Sequence, residues 1–196
     1  MKLRYKIGGG LLAFFAIAAV SLAIALSYNA PCDTVPALAD GKETMQAVRY
    51  RCYGSSDVLE FGPVEKPEPA ADELLVKVHA AAVNPLDWHY MRGSPYVMRL
   101  MSGIGKPADA RLGVDFAGTV EAVGEAVTRF EPGDEVLGGA NGAYAEYLTV
   151  RESGAVALKP ANVTFEEAAT VPIAALTALQ ALRCLLYTSP SPRDED

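Results

Sequence analysis

The chain begins with a long apolar run that differs from everything after it. Residues 7–28 (IGGGLLAFFAIAAVSLAIALSY) contain no charge over 22 positions, and a helix of that length crosses the roughly 30 Å hydrocarbon layer of a membrane. This pattern predicts a basic lead and transmembrane helix at 1–28, and hence a protein anchored by a single N-terminal span, with the side of the membrane left open. A cleaved signal peptide is the alternative, because residues 1–6 are basic and residues 25–27 (ALS) suit cleavage, although apolar regions of signals are usually only about 7–15 residues long.

The body of the chain, residues 45–171, consists of short alternating stretches separated by glycine and proline. Within residues 73–83, Val76 and Val78 fall on one face and Lys77 on the other, which is the two-residue period of a half-buried strand. Further strands are predicted over residues 45–53, 115–123, 135–137, 143–150 and 155–159. Many short strands with tight turns and little helix predict a mainly β fold, an antiparallel barrel or sandwich.

The segments that flank the body lose its pattern. Residues 29–44 are rich in Pro, Ala, Asp and Gly without any period, as expected of a tether. Residues 172–183 (PIAALTALQALR) predict an apolar connecting helix that begins at its proline. Residues 184–196 (CLLYTSPSPRDED) have no period, and the string resembles translated sequencing adapter. We interpret it as a non-native tail, with the gene product continuing past Arg183; a genuine polar C-terminus is the alternative.

Composition and charge exclude several classes of protein. The 196 residues are 51% hydrophobic and include only three cysteines, which excludes a disordered chain and a disulfide-stapled mini-protein. Three of the basic residues lie in the lead, so the remainder carries 14 basic and 24 acidic groups. Because nucleic-acid binding needs a basic face, no nucleic-acid partner is predicted.

The chain has few residues that bind metals or nucleotides. Its cysteines and histidines form no C-x-x-C or H-x-x-H pair, so no metal site is predicted and zinc is not expected. It contains neither G-x-G-x-x-G nor a P-loop, and no complete nucleotide-binding unit is predicted. Cys52 is expected in a strand as a small apolar residue. A disulfide between Cys52 and Cys32 is expected only if the body lies outside the cytoplasm.

Four motifs occur in a recognisable order: VNPLDW at 83–88, GVDFAG at 113–118, FEPGDEV at 130–136 and GAYAEY at 142–147. Together they resemble the medium-chain dehydrogenase/reductase superfamily, in its zinc-independent quinone oxidoreductase-like branch, as in the N-terminal domain of enoyl-reductase-type proteins. The resemblance covers residues 45–183. It implies a GroES-like antiparallel barrel with few helices at 45–171, followed by a helix that leads toward a Rossmann domain absent from this chain.

The same resemblance bears on the chemistry. Asn84 stands where the zinc alcohol dehydrogenases of the superfamily have a cysteine ligand, and Val114 stands where they have a histidine. Without a Lewis acid, the expected reaction is hydride transfer from NADPH or NADH to an already activated alkene or quinone. The expected partner is therefore a small quinone or enone, and the resemblance also allows a homodimer of the full-length protein.

Three residues are implied by the resemblance to bind the cofactor. Asn84 and Asp87 follow a barrel strand that faces the nicotinamide, and Thr177 lies on the connecting helix. An amide, a carboxylate and a hydroxyl can fix the ring and ribose by hydrogen bonds. The alternatives are an Asx turn that caps the next helix for Asn84 and Asp87, and a helix-packing hydroxyl for Thr177.

The resemblance also implies a substrate pocket. Trp88, His89 and Tyr90 line it, with His89 or Tyr90 as the catalytic proton donor, and Tyr144 is a further pocket residue. The alternative is that these aromatic side chains only cover the end of the barrel. Two other titratable residues receive no catalytic role. His79 shares a solvated face with a lysine, and Asp115 is expected to be a satisfied buried carboxylate.

The leading hypothesis is therefore the N-terminal part of a zinc-independent NAD(P)H-dependent oxidoreductase acting on quinones or enones, inactive on its own. A tethered, non-catalytic GroES-like module that binds a ligand or partner is the second hypothesis. A metal-dependent alcohol or carbonyl dehydrogenase is the third. The coding sequence beyond Arg183 separates the first two, because a glycine-rich dinucleotide loop supports the enzyme and a stop codon supports the module.

Overall fold

The computed structural model describes residues 2–34 and 37–188, with side chains for residues 13–34 and 37–184. These residues form two compact units. Unit 1 comprises residues 2–34, Tyr50–Leu59 and His89–Ala110. Unit 2 comprises residues 37–49, Glu60–Trp88 and 111–188.

The described elements are mainly short strands. They are β1 (Thr44–Tyr50), β2 (Leu59–Glu65), β3 (Glu73–Ala82), β4 (Asp115–Val123), β5 (Glu135–Gly139), β6 (Tyr147–Arg151) and β7 (Ala155–Leu158). The α-helices are α1 (Lys2–Ser27), α2 (Pro85–Arg92), α3 (Arg99–Ser102), α4 (Phe165–Ala169) and α5 (Leu176–Thr188). Single 3₁₀ turns cover Ser56–Val58 and Tyr96–Met98, and a π-helical turn, Val171–Ala175, precedes α5.

Unit 2 is built on a five-stranded antiparallel sheet in the order β6-β3-β4-β5-β7, and β1 pairs with β2 in a separate two-stranded sheet. The alternation along β3 is the one predicted: Val76 is fully buried and Lys77 is exposed. The central core consists of buried apolar side chains from several strands: Leu74, Val76, Phe116, Val120, Val136, Leu148, Val150 and Val156. A mainly β architecture with few helices therefore agrees with the sequence pattern.

The prediction of a transmembrane helix is wrong. A bilayer span needs about 20 consecutive apolar residues, and among the described residues no helix combines the length and the apolarity that a membrane crossing requires. The predicted localisation, a membrane anchor with a single N-terminal span, depended on this helix and is wrong for the same reason. The predicted membrane contact loses its support.

The start of the predicted tether makes specific contacts in unit 1. The Ala30 amide donates to the Gly105 carbonyl at 2.8 Å, and Lys106 pairs with Asp33 at 2.7 Å. Cys32 forms a disulfide with Cys52. Because β1 ends at Tyr50, Cys52 lies in the bend that follows, and the expectation of a strand cysteine is wrong.

Unit 1 also contains a fully buried arginine. Arg99 is 1% exposed, and its guanidinium lies 4.4 Å from the centroid of the Tyr53 ring and 4.7 Å from that of Tyr96. Its N–H groups donate to the carbonyls of Leu26 at 2.9 Å and Tyr28 at 2.8 Å. These are acceptors at the C-terminal end of α1, where helix carbonyls lack partners within the helix, so Arg99 caps that helix.

Several boundaries differ from the sequence pattern. The pattern missed β2, α3 and α4, and it raised α2 only as the alternative of a capped helical turn. The residues before Tyr147 form a loop rather than the start of β6. Helix α5 continues to Thr188, into the segment expected to have no regular structure. The rest of the predicted tail, 189–196, lies outside the described residues.

Candidate active site

The junction between β3 and α2 is a helix cap built by two side chains. Pro85 occupies the first position of α2, where its missing N–H costs nothing. The Asn84 Oδ1 accepts the Leu86 amide at 3.0 Å, and the Asp87 Oδ2 accepts the Asn84 amide at 3.0 Å. The capping arrangement left open in the sequence is therefore present. Both N–H groups of the Asn84 side-chain amide and one oxygen of the Asp87 carboxylate are not used by this cap.

A tyrosine from another loop reaches the same carboxylate. The Tyr144 hydroxyl donates to the Asp87 Oδ2 at 2.8 Å. Burial raises the pKa of Tyr144 above its ordinary value, and the hydrogen bond and charge of Asp87 and the charge of Asp115 raise it further. Tyr144 is therefore a protonated phenol at neutral pH, and it holds Asp87 in place.

Gly113 allows Tyr144 to approach this closely. A Cβ at Gly113 would lie 2.6 Å from the Tyr144 ring, and its φ of +89° is in the left-handed region. Its carbonyl accepts the amides of Gly142 at 2.9 Å and Ala143 at 3.1 Å. Only glycine adopts this conformation at little cost. The backbone conformation therefore explains why the GVDFAG motif begins with glycine.

Asp115 completes the cluster from the start of β4. It is 1% exposed, and its Oδ2 accepts the Asn84 Nδ2–H at 3.4 Å and the Ile173 amide at 3.2 Å. Burial raises the pKa of Asp115 and the charge of Asp87 raises it further, while the Ile173 N–H opposes the shift. We call Asn84, Asp87, Asp115 and Tyr144 the acid network.

The acid network has unused hydrogen-bonding capacity. Asp87 is 4% exposed, and neither its Oδ1 nor the Oδ1 of Asp115 has a hydrogen-bond partner among the described residues. Buried polar atoms are normally satisfied, so two such oxygens in one cluster make the acid network a candidate site. The sequence predicted that Asp115 is a buried carboxylate with all its hydrogen bonds made. The side chain is buried as predicted, but its Oδ1 has no hydrogen-bond partner among the described residues. The one sequence feature that marks this position is a single acidic residue within an apolar run.

The structure groups some of the predicted site residues and leaves others apart. Asn84, Asp87 and Tyr144 come together in unit 2. In the same unit, Trp88 is 44% exposed, and Thr177 is exposed on the first turn of α5. The predicted roles of these five residues in binding cofactor and substrate stay predictions.

The two predicted proton donors belong to unit 1, where both are half-buried. The His89 Nδ1 lies 2.5 Å from the Ser94 carbonyl oxygen. Because a carbonyl only accepts, Nδ1 carries a proton, and the Nε2 of the neutral ring is an acceptor. His89 therefore donates from Nε2 only as an imidazolium, whereas the Tyr90 hydroxyl is itself a hydrogen-bond donor.

Two other kinds of site, a metal centre and an apolar cavity, are the alternatives to the acid network among the described residues. No three His, Cys, Asp or Glu side chains among those residues are grouped so that they could hold a metal ion. An apolar cavity of about 310 Å³ lies in unit 2, and its walls come mainly from β1, β2 and β6. None of the predicted site residues lines it, so the acid network, with its unsatisfied acceptors, is the better candidate site.

Asp115 makes a testable contribution to the pH dependence of stability. Its raised pKa means that the folded chain holds a proton at pH values where the unfolded chain has lost it. The free energy of unfolding therefore falls as pH rises through this range and stays lower above it. We expect Asp115→Asn to match or exceed the wild-type stability at neutral pH and to flatten this slope, measured by urea unfolding between about pH 4 and 8. An unchanged slope would contradict the assignment.

The antiparallel sheet of unit 2 and the acid network beside it lie in a part of the chain that matches known proteins. Residues 70–160 match the alcohol dehydrogenase GroES-like domain. The chain is 41% identical over 145 residues to a chloroplastic quinone-oxidoreductase homolog of Spinacia oleracea, which covers 70% of this chain and 42% of the relative. The matched part of the chain belongs to the quinone oxidoreductase-like branch of the medium-chain dehydrogenase/reductase superfamily.

Solved structures agree with this family. The quinone oxidoreductase from Coxiella burnetii has a TM-score of 0.65 and 33% identity, covering 72% of this chain and 45% of that one. The Escherichia coli quinone oxidoreductase complexed with NADPH has a TM-score of 0.62 and 28% identity, covering 70% and 40%. The chain thus spans about two fifths of the length of the curated relatives it matches.

Proposed function

We propose that this chain supplies the GroES-like catalytic part of an NAD(P)H-dependent oxidoreductase that reduces quinones or enones. The observation that carries the proposal is the pair of unsatisfied carboxylate oxygens in the acid network, at the motif where the family resemblance expects the nicotinamide. Relatives named quinone oxidoreductase and NADPH-dependent alkenal/one oxidoreductase support the substrate class.

The donor and acceptor chemistry of the site fits a nicotinamide nucleotide. Its carboxamide and ribose hydroxyls present N–H and O–H donors, and the Oδ1 atoms of Asp87 and Asp115 are acceptors without a partner. Asn84 and Asp87 would hold the nicotinamide end, and Thr177 offers a hydroxyl on α5. When bound, the cofactor supplies a hydride to an electron-poor carbon of the substrate.

The residues of this chain then have distinct tasks. Tyr144 fixes the rotamer of Asp87, since the Asp87 Oδ2 accepts both its hydroxyl and the Asn84 amide. Trp88 is 44% exposed, and in this proposal a planar substrate stacks on its indole. Reduction of an enone also needs one proton, and the Tyr90 hydroxyl or a protonated His89 supplies it in this proposal.

The first test reads the coding sequence beyond Arg183 and assays the protein expressed from the complete coding sequence. We expect a glycine-rich dinucleotide loop after a strand, and oxidation of NADPH in the presence of a quinone or an alkenal. Asp87→Asn should lower kcat/KM at least about tenfold, because hydrogen bonds to a charged group contribute about 1.5–3 kcal/mol.

Asp134→Asn is the matched control. The Asp134 carboxylate also accepts one backbone amide, that of Glu131 at 3.0 Å, but it lies in the turn before β5, so kcat/KM should be unchanged. A stop codon directly after Arg183, or an absence of NADPH oxidation by the complete protein, would refute the proposed function and favour a non-catalytic ligand-binding module.

A further inference from the structure

Burying the Asp115 carboxylate costs free energy, and the cap of α2 does not require this side chain. Moving a carboxylate out of water is expensive unless all its oxygens are paired, and its Oδ1 has no partner among the described residues. An apolar residue at the start of β4 would avoid this cost. A buried group that lowers stability is characteristic of functional positions.

The paired oxygen of Asp115 joins two separate segments of unit 2. Its Oδ2 accepts the Nδ2–H of Asn84, in the loop after β3, and the amide of Ile173, in the π-helical turn Val171–Ala175. Short π-helical turns occur frequently at functional sites. The Ile173 carbonyl in turn accepts the amide of Leu176, the first residue of α5. A continuous path of hydrogen bonds therefore runs from Asn84 through Asp115 to α5.

We propose that Asp115 is a positioning residue that sets the start of α5, and with it Thr177, relative to Asn84 and Asp87. We call its two hydrogen bonds the Asp115 bridge. The proposal rests on the proposed function in one respect: the two segments that the bridge joins carry the candidate cofactor-binding residues.

The bridge needs an oxygen acceptor at this position rather than a negative charge. One side-chain oxygen accepts both N–H groups, and an asparagine oxygen can do the same. Valine fills similar space and suits a strand but accepts neither bond. Asp115→Asn and Asp115→Val therefore separate the bridge from the packing of β4.

The test measures hydrogen exchange at the Ile173 amide by NMR in the 196-residue chain. Asp115→Val should accelerate exchange at Ile173 roughly tenfold or more, because a hydrogen bond to a charged group is lost. Asp115→Asn should exchange more slowly than Asp115→Val and at most several-fold faster than wild type, since one hydrogen bond of ordinary strength remains. The control Asp134→Asn should leave exchange at Ile173 unchanged.

A second readout does not depend on how well the valine variant folds. In the wild-type chain the Ile173 amide shift should follow the titration of Asp115, and this response should disappear in Asp115→Asn. Asp87 and Tyr144 are the titratable groups that face Asp115, so Asp87→Asn identifies any part of the response that belongs to Asp87. Wild-type exchange at Ile173 in a folded Asp115→Val chain, or a pH response that persists in Asp115→Asn, would overturn the bridge.

The consequence for the cofactor is measured separately on the protein from the complete coding sequence. Asp115→Val should raise the KM for NADPH about tenfold. The separate variant Asp115→Asn should have a KM close to that of the wild type. If the bridge is present but KM does not change, Asp115 has no positioning role. If the wild-type protein oxidises no NADPH, the proposed function fails while the exchange data still decide whether the bridge exists.

Discussion

Replacing Gly118 by valine is expected to destabilise unit 2 by about 3 kcal/mol or more, the upper range for overpacking a closely packed core. Gly118 lies in the central strand β4 and pairs with Val78 of β3 and Val136 of β5. A Cβ at this position would overlap the carbonyl oxygen of Lys77 and lie 2.9 Å from the Val76 Cγ1. The backbone of β4 is hydrogen-bonded to β3 on one side and β5 on the other, so it cannot shift to relieve the clash. The clash would therefore separate β3 from β4.

The measurement is urea unfolding, with limited proteolysis if the variant does not fold. Since small domains are stable by only about 5–15 kcal/mol, much of the variant could be cleaved under native conditions. Gly62→Ala is the control, because Gly62 also lies in a strand, β2, but a Cβ there meets nothing within 4 Å. A Gly118→Val chain as stable as the Gly62→Ala chain would show that β4 is not packed in this way.

Arg99→Ala is expected to cost about 3 kcal/mol or more in unit 1. The guanidinium satisfies backbone carbonyls that are far apart in the sequence, with the Gly93 carbonyl at 2.8 Å in addition to those of Leu26 and Tyr28. Each buried acceptor that loses its partner costs about 1–3 kcal/mol, and the cation–π contacts with Tyr53 and Tyr96 are lost as well. The C-terminal end of α1 should then become accessible to protease.

Arg99→Lys should recover only part of this stability, because an ammonium cannot serve several carbonyls in the plane of a guanidinium. Arg151→Ala is the control: its side chain is 71% exposed and its guanidinium lies 3.9 Å from Asp72. Exposed pairs of this kind contribute about 0–1 kcal/mol. Equal losses in Arg99→Ala and Arg151→Ala would contradict the capping role of Arg99.

The local pattern of the sequence was enough to predict much of the sheet. The strand Asp115–Val123 has the predicted bounds and β3 differs by one residue, because a two-residue period and bounding glycines and prolines are local signals. The capping of α2 by Asn84 and Asp87 was likewise foreseen as an alternative, since an Asx turn involves only neighbouring residues.

The errors came from features that depend on more than local pattern. Absence of charge over residues 7–28 predicted a span, yet no helix of the described residues meets the requirements of one. Cys52 was placed in a strand, but β1 ends at Tyr50 and Cys52 pairs with Cys32 instead. A charge-free stretch alone does not establish a membrane span, and strand-like composition does not show where a strand loses its pairing partner.

The sequence by itself determined the mainly β architecture, the family resemblance and the candidate residues Asn84, Asp87 and Tyr144, because each of these is written in short contiguous motifs. Only the tertiary structure decided that Tyr144 donates to Asp87 and that Asp115 joins Asn84 to Ile173. These partners are 31 to 58 residues apart in the chain. Burial and hydrogen-bond satisfaction are properties of the packed sheet and loops, and no pattern of neighbouring residues encodes them.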